Sequence, residues 1–171
     1  MGTIAMSIPP DSKTVIDGEF RRMKNIREIR LSDHIKAFVN DAHSSFESKG
    51  ALNHRGPCKR SLIHYAAMGD CPELLRCLLR TGAAKDDRDQ NKRTPLSWAA
   101  EYGALDCVKI LLEYGAKINS TDDTYSTPLS WSIHASPPTD QAKATEVYLR
   151  KNGAKEKGAK RRWILRKIRM F

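Results

Sequence analysis

The chain has 171 residues, enough for one domain with a buried core and too few for two large ones. With 40% hydrophobic and 29% charged residues it has the composition of folded globular material, and no apolar run approaches the roughly 18 to 20 residues that a membrane-spanning helix needs. The net charge of +10 is unevenly placed: residues 1–59 carry 10 basic and 7 acidic side chains, residues 60–154 carry 12 of each, and residues 155–171 carry 8 basic and 1 acidic, so the basic character belongs mainly to the last stretch.

Met1 to Pro10 has no basic n-region and no sustained apolar h-region before Pro9 and Pro10, so it does not read as a secretory leader. Gly2 is followed by Met6 where N-myristoylation needs Ser or Thr. These features point to an intracellular protein, cytoplasmic or nuclear. Asn119-Ser120-Thr121 matches a glycosylation sequon, which has no meaning outside the secretory pathway. Residues 1–30, with their prolines and mixed charges, are expected to be an N-terminal tail, partly disordered.

Residues 31–60 read as an N-terminal capping helix or a degenerate repeat. Ser32 suits an N-cap, and Ile35, Phe38, Val39, Ala42 and Phe46 have helical apolar spacing. Gly50-Ala51-Leu52-Asn53 echoes Gly115-Ala116-Lys117-Ile118-Asn119 further on. The four cysteines (Cys58, Cys71, Cys77, Cys107) form no CxxC pair, as expected of free thiols in a reducing compartment. The spacing of His54, Cys58, His64 and Cys71 matches no zinc arrangement, so neither a metal nor a cofactor is expected.

From residue 61 the sequence repeats. Arg93-Thr94-Pro95-Leu96-Ser97-Trp98 recurs as Ser126-Thr127-Pro128-Leu129-Ser130-Trp131, an offset of 33, and the same step back from Thr94 reaches Ser61 and the run Leu62-Ile63-His64-Tyr65-Ala66-Ala67. Gly82 and Gly115, each followed by Ala, keep the same period at the other end of the unit. In the middle copy Thr94 can cap a helix, and Pro95 takes the first helical position, where a missing N–H is harmless. Leu96, Ala99 and Ala100 make an apolar stripe, and the small alanines permit close helix approach. After Gly103 a second stripe runs through Leu105, Val108, Leu111 and Leu112 and ends at Gly115, a left-handed terminator. The Asp- and Asn-rich connectors after Gly82 and Gly115 suit tight turns. Such short helix pairs bury their apolar faces only by stacking into a solenoid.

The 33-residue period, the Thr-Pro-Leu opening and the Ala-Ala, Leu-Leu and Gly-Ala pairs resemble the ankyrin repeat over Ser61 to about Lys155. The resemblance implies an all-α ankyrin-repeat solenoid of about three helix-turn-helix units (61–93, 94–126, 127–155), with short hairpin-like connectors and helical caps. The third unit departs from the pattern: Ser132-Ile133 replaces the Ala pair, and Gly153 lies 38 residues after Gly115, placing five extra residues around Ser136–Asp140, in the turn between its helices. Lys59, Lys92 and Tyr125 stand where the family has a connector glycine, so looser hairpin tips are expected.

The resemblance also implies a monomeric protein-protein interaction adaptor that binds another protein through a concave face, with no small-molecule substrate. Carried over by motif position, its contact residues are Gln90, Asn91 and Arg93 in one connector and Asp123, Thr124 and Ser126 in the next, with Met68, Glu101, Tyr102, His134 and Ala135 from the helices. Tyr102, Met68 and Arg93 are of anchoring types. Trp98 and Trp131 are expected to pack between units. His64 is expected to bond connector backbone, with Ser97 and Ser130 making weaker versions.

Residues 156–171 form a basic amphipathic tail, in which Lys160, Arg161, Arg162, Arg166, Lys167 and Arg169 alternate with bulky apolar residues. Three readings stand open: it caps the array, it lies on an anionic membrane surface or is taken up by an acidic partner such as calmodulin, or it serves nuclear import or nucleic-acid contact. No GxSxG, Walker-type loop, HExxH or paired catalytic carboxylates are present, and no enzymatic activity is expected.

Overall fold

The computed structural model describes residues 10–44, 46, 54–135 and 139–157. Among them are helices α1 (Pro10–Lys24), α2 (Arg27–Leu31), α3 (Asp33–Ser44), α4 (Leu62–Met68), α5 (Pro72–Arg80), α6 (Pro95–Tyr102), α7 (Leu105–Glu113), α8 (Pro128–Ile133) and α9 (Asp140–Lys151).

The last six helices form three pairs stacked in two rows. α4, α6 and α8 pack in sequence as the first-helix row, α5, α7 and α9 as the second, and each first helix also packs on its own partner. Local chemistry starts each first helix. Ser97 N–H donates to Thr94 Oγ1, and Ser130 N–H donates to Thr127 Oγ1, both at 3.3 Å, with Pro95 and Pro128 following as first helical residues. Ser61 and His64 form a capping box that does the same work in α4. Ala66, Ala67, Ala99 and Ala100 are fully buried, which lets the first-helix row close up. Gly103 ends α6 at φ 69°, and a Cβ there would lie 2.8 Å from the Ala142 nitrogen, so only glycine fits beneath α9.

The second helices take their caps from elsewhere. Glu19, on α1, accepts hydrogen bonds from the Glu73 and Leu74 amides at the start of α5, and Asp70 accepts from the Cys107 amide at the start of α7 at 3.4 Å. These carboxylates meet the orphan N–H groups and the positive dipole end together. In the third unit Thr139 caps α9 locally, with the Ala142 amide at 3.1 Å.

Two features differ from expectation. Residues 10–30, expected to be tail, are mostly helical and join the core: Phe20, Met23 and Ile29 are fully buried, and α1 packs on α3, α4 and α5. The reason is legible in the spacing of Ile16, Phe20 and Met23, an i, i+4, i+7 stripe. Phe20 stacks on His43 at 4.3 Å and meets Phe46 edge-on at 5.6 Å, tying α1 to the α3 region. Residues 1–9 and the Gly50–Asn53 echo lie outside the described residues. The insertion in the third unit is also not confined to a turn: α9 has 12 residues against nine in α7, so part of it lengthens a helix. Ser136, Pro137 and Pro138 lie outside the described residues.

Candidate protein-binding face

Each connector folds around one aspartate. Asp89 Oδ1 accepts from the Asn91 and Arg93 amides, both at 2.9 Å, while its Oδ2 accepts from Trp98 Nε1 at 3.0 Å. One unit on, Asp122 accepts from the amides of Thr124 (2.8 Å) and Ser126 (2.9 Å), and from Trp131 Nε1 (2.9 Å). The aspartate closes the turn and orients the indole of the first helix that follows it. Neighbouring tips are joined by backbone bonds, Gln90 N–H to Cys58 O at 2.8 Å and Asp123 N–H to Asn91 O at 3.1 Å, so they form a continuous row.

Lys59, Lys92 and Tyr125 hold the left-handed conformation that glycine takes most easily, at φ 55°, 58° and 61°. The tips therefore keep the turn that the missing glycines put in question; the carboxylate and tip-to-tip bonds hold it against the Cβ clash.

The structure divides the expected contact residues. Gln90, Asn91, Asp123 and Thr124 are exposed on the tip row, Tyr102 is 39% exposed at the end of α6, and His134 is exposed at the end of α8, its Nδ1 2.7 Å from Ser130 O. Glu101 is half-buried beside Tyr102, and Ala135 is half-buried after α8. Tyr125, 59% exposed, extends the row and was not among the expected contacts.

Met68 and Arg93 are corrections, and Ser126 joins them as a buried connector residue. Met68 is only 3% exposed, because the N-terminal helices pack on this end of the first unit: a Cβ on the adjacent Gly69 would meet Ile26 and Met23 at 3.3 Å. Arg93 is 5% exposed. Its guanidinium lies 3.5 Å from the Trp98 ring centroid and 3.7 Å from that of Trp131, and it donates to Glu101 and to Ser97 O. Arg60, 33 residues earlier, covers Trp98 at 4.1 Å. The result is a ladder of alternating guanidinium and indole groups across the unit boundaries, cemented by cation–π attraction. The two tryptophans thus do pack between units, with an arginine as the filling between them.

His64 is fully buried, and its Nδ1 accepts the Ser61 amide at 3.2 Å, while Ser61 Oγ donates to Asp87. Burial lowers the His64 pKa, against the opposing pull of Asp87 and Asp89. Ser97 and Ser130 each lie beside the threonine that caps their helix, at 3.3 and 3.1 Å. Ser130 also accepts the Lys157 amide at 3.1 Å. Burial raises the Cys71 thiol pKa to about 12 and holds Cys107 well above the ordinary range, so neither supplies a thiolate. Among the described residues no group of three His, Cys, Asp or Glu side chains converges as a metal-holding set.

The residues that shape the face and were missed from sequence are Asp89, Asp122 and Arg60. Their signal was available, since both the aspartates and the pair Arg60 and Arg93 recur at 33 residues. The basic residues Lys160, Arg161, Arg162, Arg166, Lys167 and Arg169 lie outside the described residues.

Stacked helix pairs bearing a row of exposed turns define a helical repeat array. The family profile described as ankyrin repeats, three copies, matches residues 30–122, more than half of the chain. The chain belongs to the ankyrin-repeat family, whose members are generally protein-protein interaction modules and typically non-enzymatic. The match takes in α3 to α7, while α8 and α9 continue the stack beyond it. No curated protein matches the chain. No described helix is long and apolar enough to cross a membrane.

Proposed function

We propose that this protein is a binding adaptor that grips one protein partner along the tip row and the adjoining ends of α6 and α8. The observation that carries this reading is the continuity of the row. Gln90, Asn91, Asp123, Thr124 and Tyr125 are exposed on turns locked by buried aspartates and by each other, and Tyr102 and His134 flank them. A preorganised surface of this kind binds with little ordering cost, and exposed tyrosines supply contact area with few rotors to freeze.

The test is affinity capture from native extract with the full chain, followed by direct binding to the captured protein. Tyr102→Ala and Asn91→Ala are expected to weaken binding about tenfold or more while the thermal melt stays unchanged. Retained affinity in both variants would place recognition elsewhere on the molecule.

A further inference from the structure

The second helix of every unit ends in the same turn. Gly82, Gly115 and Gly153 follow α5, α7 and α9 at φ 98°, 77° and 84°, and their amides donate to the carbonyls of Leu79, Leu112 and Arg150. The alanine after each glycine reaches further back, to Leu78, Leu111 and Leu149. These two bonds make a Schellman motif, whose left-handed position glycine fills without a Cβ clash.

The residue before the glycine differs between units: Thr81, Tyr114 and Asn152. Thr81 and Tyr114 are half-buried, whereas Asn152 and Gly153, in the last unit, are both exposed. The turn therefore holds an Asn-Gly pair in solvent. Of the six asparagines Asn152 alone precedes glycine, the others preceding Ile26, Asp41, His54, Lys92 and Ser120. That matters because the backbone nitrogen of the following residue attacks an asparagine side-chain amide, and any side chain on that residue obstructs the approach.

Two bonds restrain the pair. Asn152 Nδ2 donates to Tyr148 O at 2.8 Å and the Gly153 amide to Arg150 O at 3.1 Å. Both belong to the last turn of α9, where fraying opens such bonds at little cost. Beyond the turn, the chain is tied along the third unit. Gly153 O accepts from Asn119 Nδ2 at 3.3 Å, and the Lys155 amide donates to Asn119 Oδ1 at 2.7 Å. Lys155 O accepts from Thr127 Oγ1 at 2.7 Å, and the Lys157 amide donates to Ser130 Oγ at 3.1 Å.

We propose that Asn152 is a deamidation site, converted through a succinimide to aspartate and isoaspartate, and that isoaspartate releases residues 153–157 from the third unit. The Gly153 nitrogen bonds to Asn152 Cγ and gives its proton to solvent; the Cγ–Nδ2 bond breaks and ammonia leaves. Water then opens the ring, at Cγ to give aspartate or at the backbone carbonyl carbon to give isoaspartate, and nothing is oxidised or reduced. Either product loses the donor to Tyr148 O and sets a carboxylate at the negative end of α9. Isoaspartate also routes the main chain through the side-chain methylene, which lengthens it just ahead of the Asn119 bonds.

The test is incubation of the full chain at physiological temperature in neutral and mildly alkaline buffer, followed by peptide mapping that separates the two isomeric products. Conversion at Asn152 is expected to run several-fold ahead of that at every other asparagine, to rise with pH, and to vanish in Asn152→Gln, which melts like the parent. Hydrogen exchange on the isolated isoaspartate form is expected to be faster at the Lys155 and Lys157 amides, with α6 and α7 unchanged. No conversion at Asn152 in the folded chain, or another asparagine converting as fast, overturns the site. Unchanged exchange at Lys155 and Lys157 overturns the release.

Discussion

The Arg93 guanidinium stands 3.7 Å from the ring centroid of Trp131 on α8, so the contact that ties the start of α6 to the next first helix is an arginine laid on an indole. Its other face meets Trp98 at 3.5 Å, and its charge is answered by Glu101. Replacing Arg93 by Ala removes both stacks and leaves the half-buried Glu101 without its cation; a loss of about 3 kcal/mol is expected. Arg93→Lys keeps a charge but not a planar group, and a loss of roughly 1 to 2 kcal/mol is expected. Urea unfolding followed by tryptophan fluorescence measures both, since two of the three tryptophans report on this ladder.

Glu19 links the N-terminal helices to the array through the start of α5. Glu19→Ala strips the Glu73 and Leu74 amides of their acceptor and is expected to cost about 1 to 2 kcal/mol. Hydrogen exchange should show faster exchange at those two amides and along α1, with α6 and α7 little changed. Uniform loss of protection would mean that α1 and the array unfold as one unit.

The left-handed residues at the tips predict a gain. Lys92, at φ 58°, carries a steric penalty that glycine lacks, offset in part by the greater freedom of glycine in the unfolded chain. Lys92→Gly is expected to stabilise the protein by about 0.5 to 1 kcal/mol, and Tyr125→Gly, at φ 61°, by a similar amount. Lys92→Ala keeps the Cβ and is expected to give no such gain. A thermal melt of the three variants decides it.

His64 gives the stability a pH dependence of definite sign. Burial lowers its pKa in the folded chain below that in the unfolded chain, so between the two values the unfolded state binds more protons. The stabilisation is present above the unfolded value of about 6.5 and is lost as pH falls toward the folded one, by up to about 1.4 kcal/mol per pH unit. Urea midpoints measured downward from neutral pH should show this slope, and His64→Gln should flatten it.

The six helices of the array were legible in sequence because each unit repeats signals that act locally. Thr94 and Thr127 cap the turn that follows them, Pro95 and Pro128 set the first helical residue, and Gly103 and Gly115 end helices with a conformation available within a few residues. The helix formed by residues 10–24 was missed because its stripe is short and set among prolines and charges, and its stability comes from Phe20 and Met23 meeting distant partners.

What the sequence determined by itself was the class of architecture and the order of its parts, since a 33-residue period of caps, small residues and glycines is chemistry between near neighbours. What only the tertiary structure decided was which side chains face water. Arg93 and Gln90 stand three residues apart in one connector, yet one is sealed between two indoles and the other exposed. That difference depends on where α8 places Trp131 and where Asp89 turns the chain. Burial is set by surfaces that meet across the stack, and spacing along the chain carries no record of them.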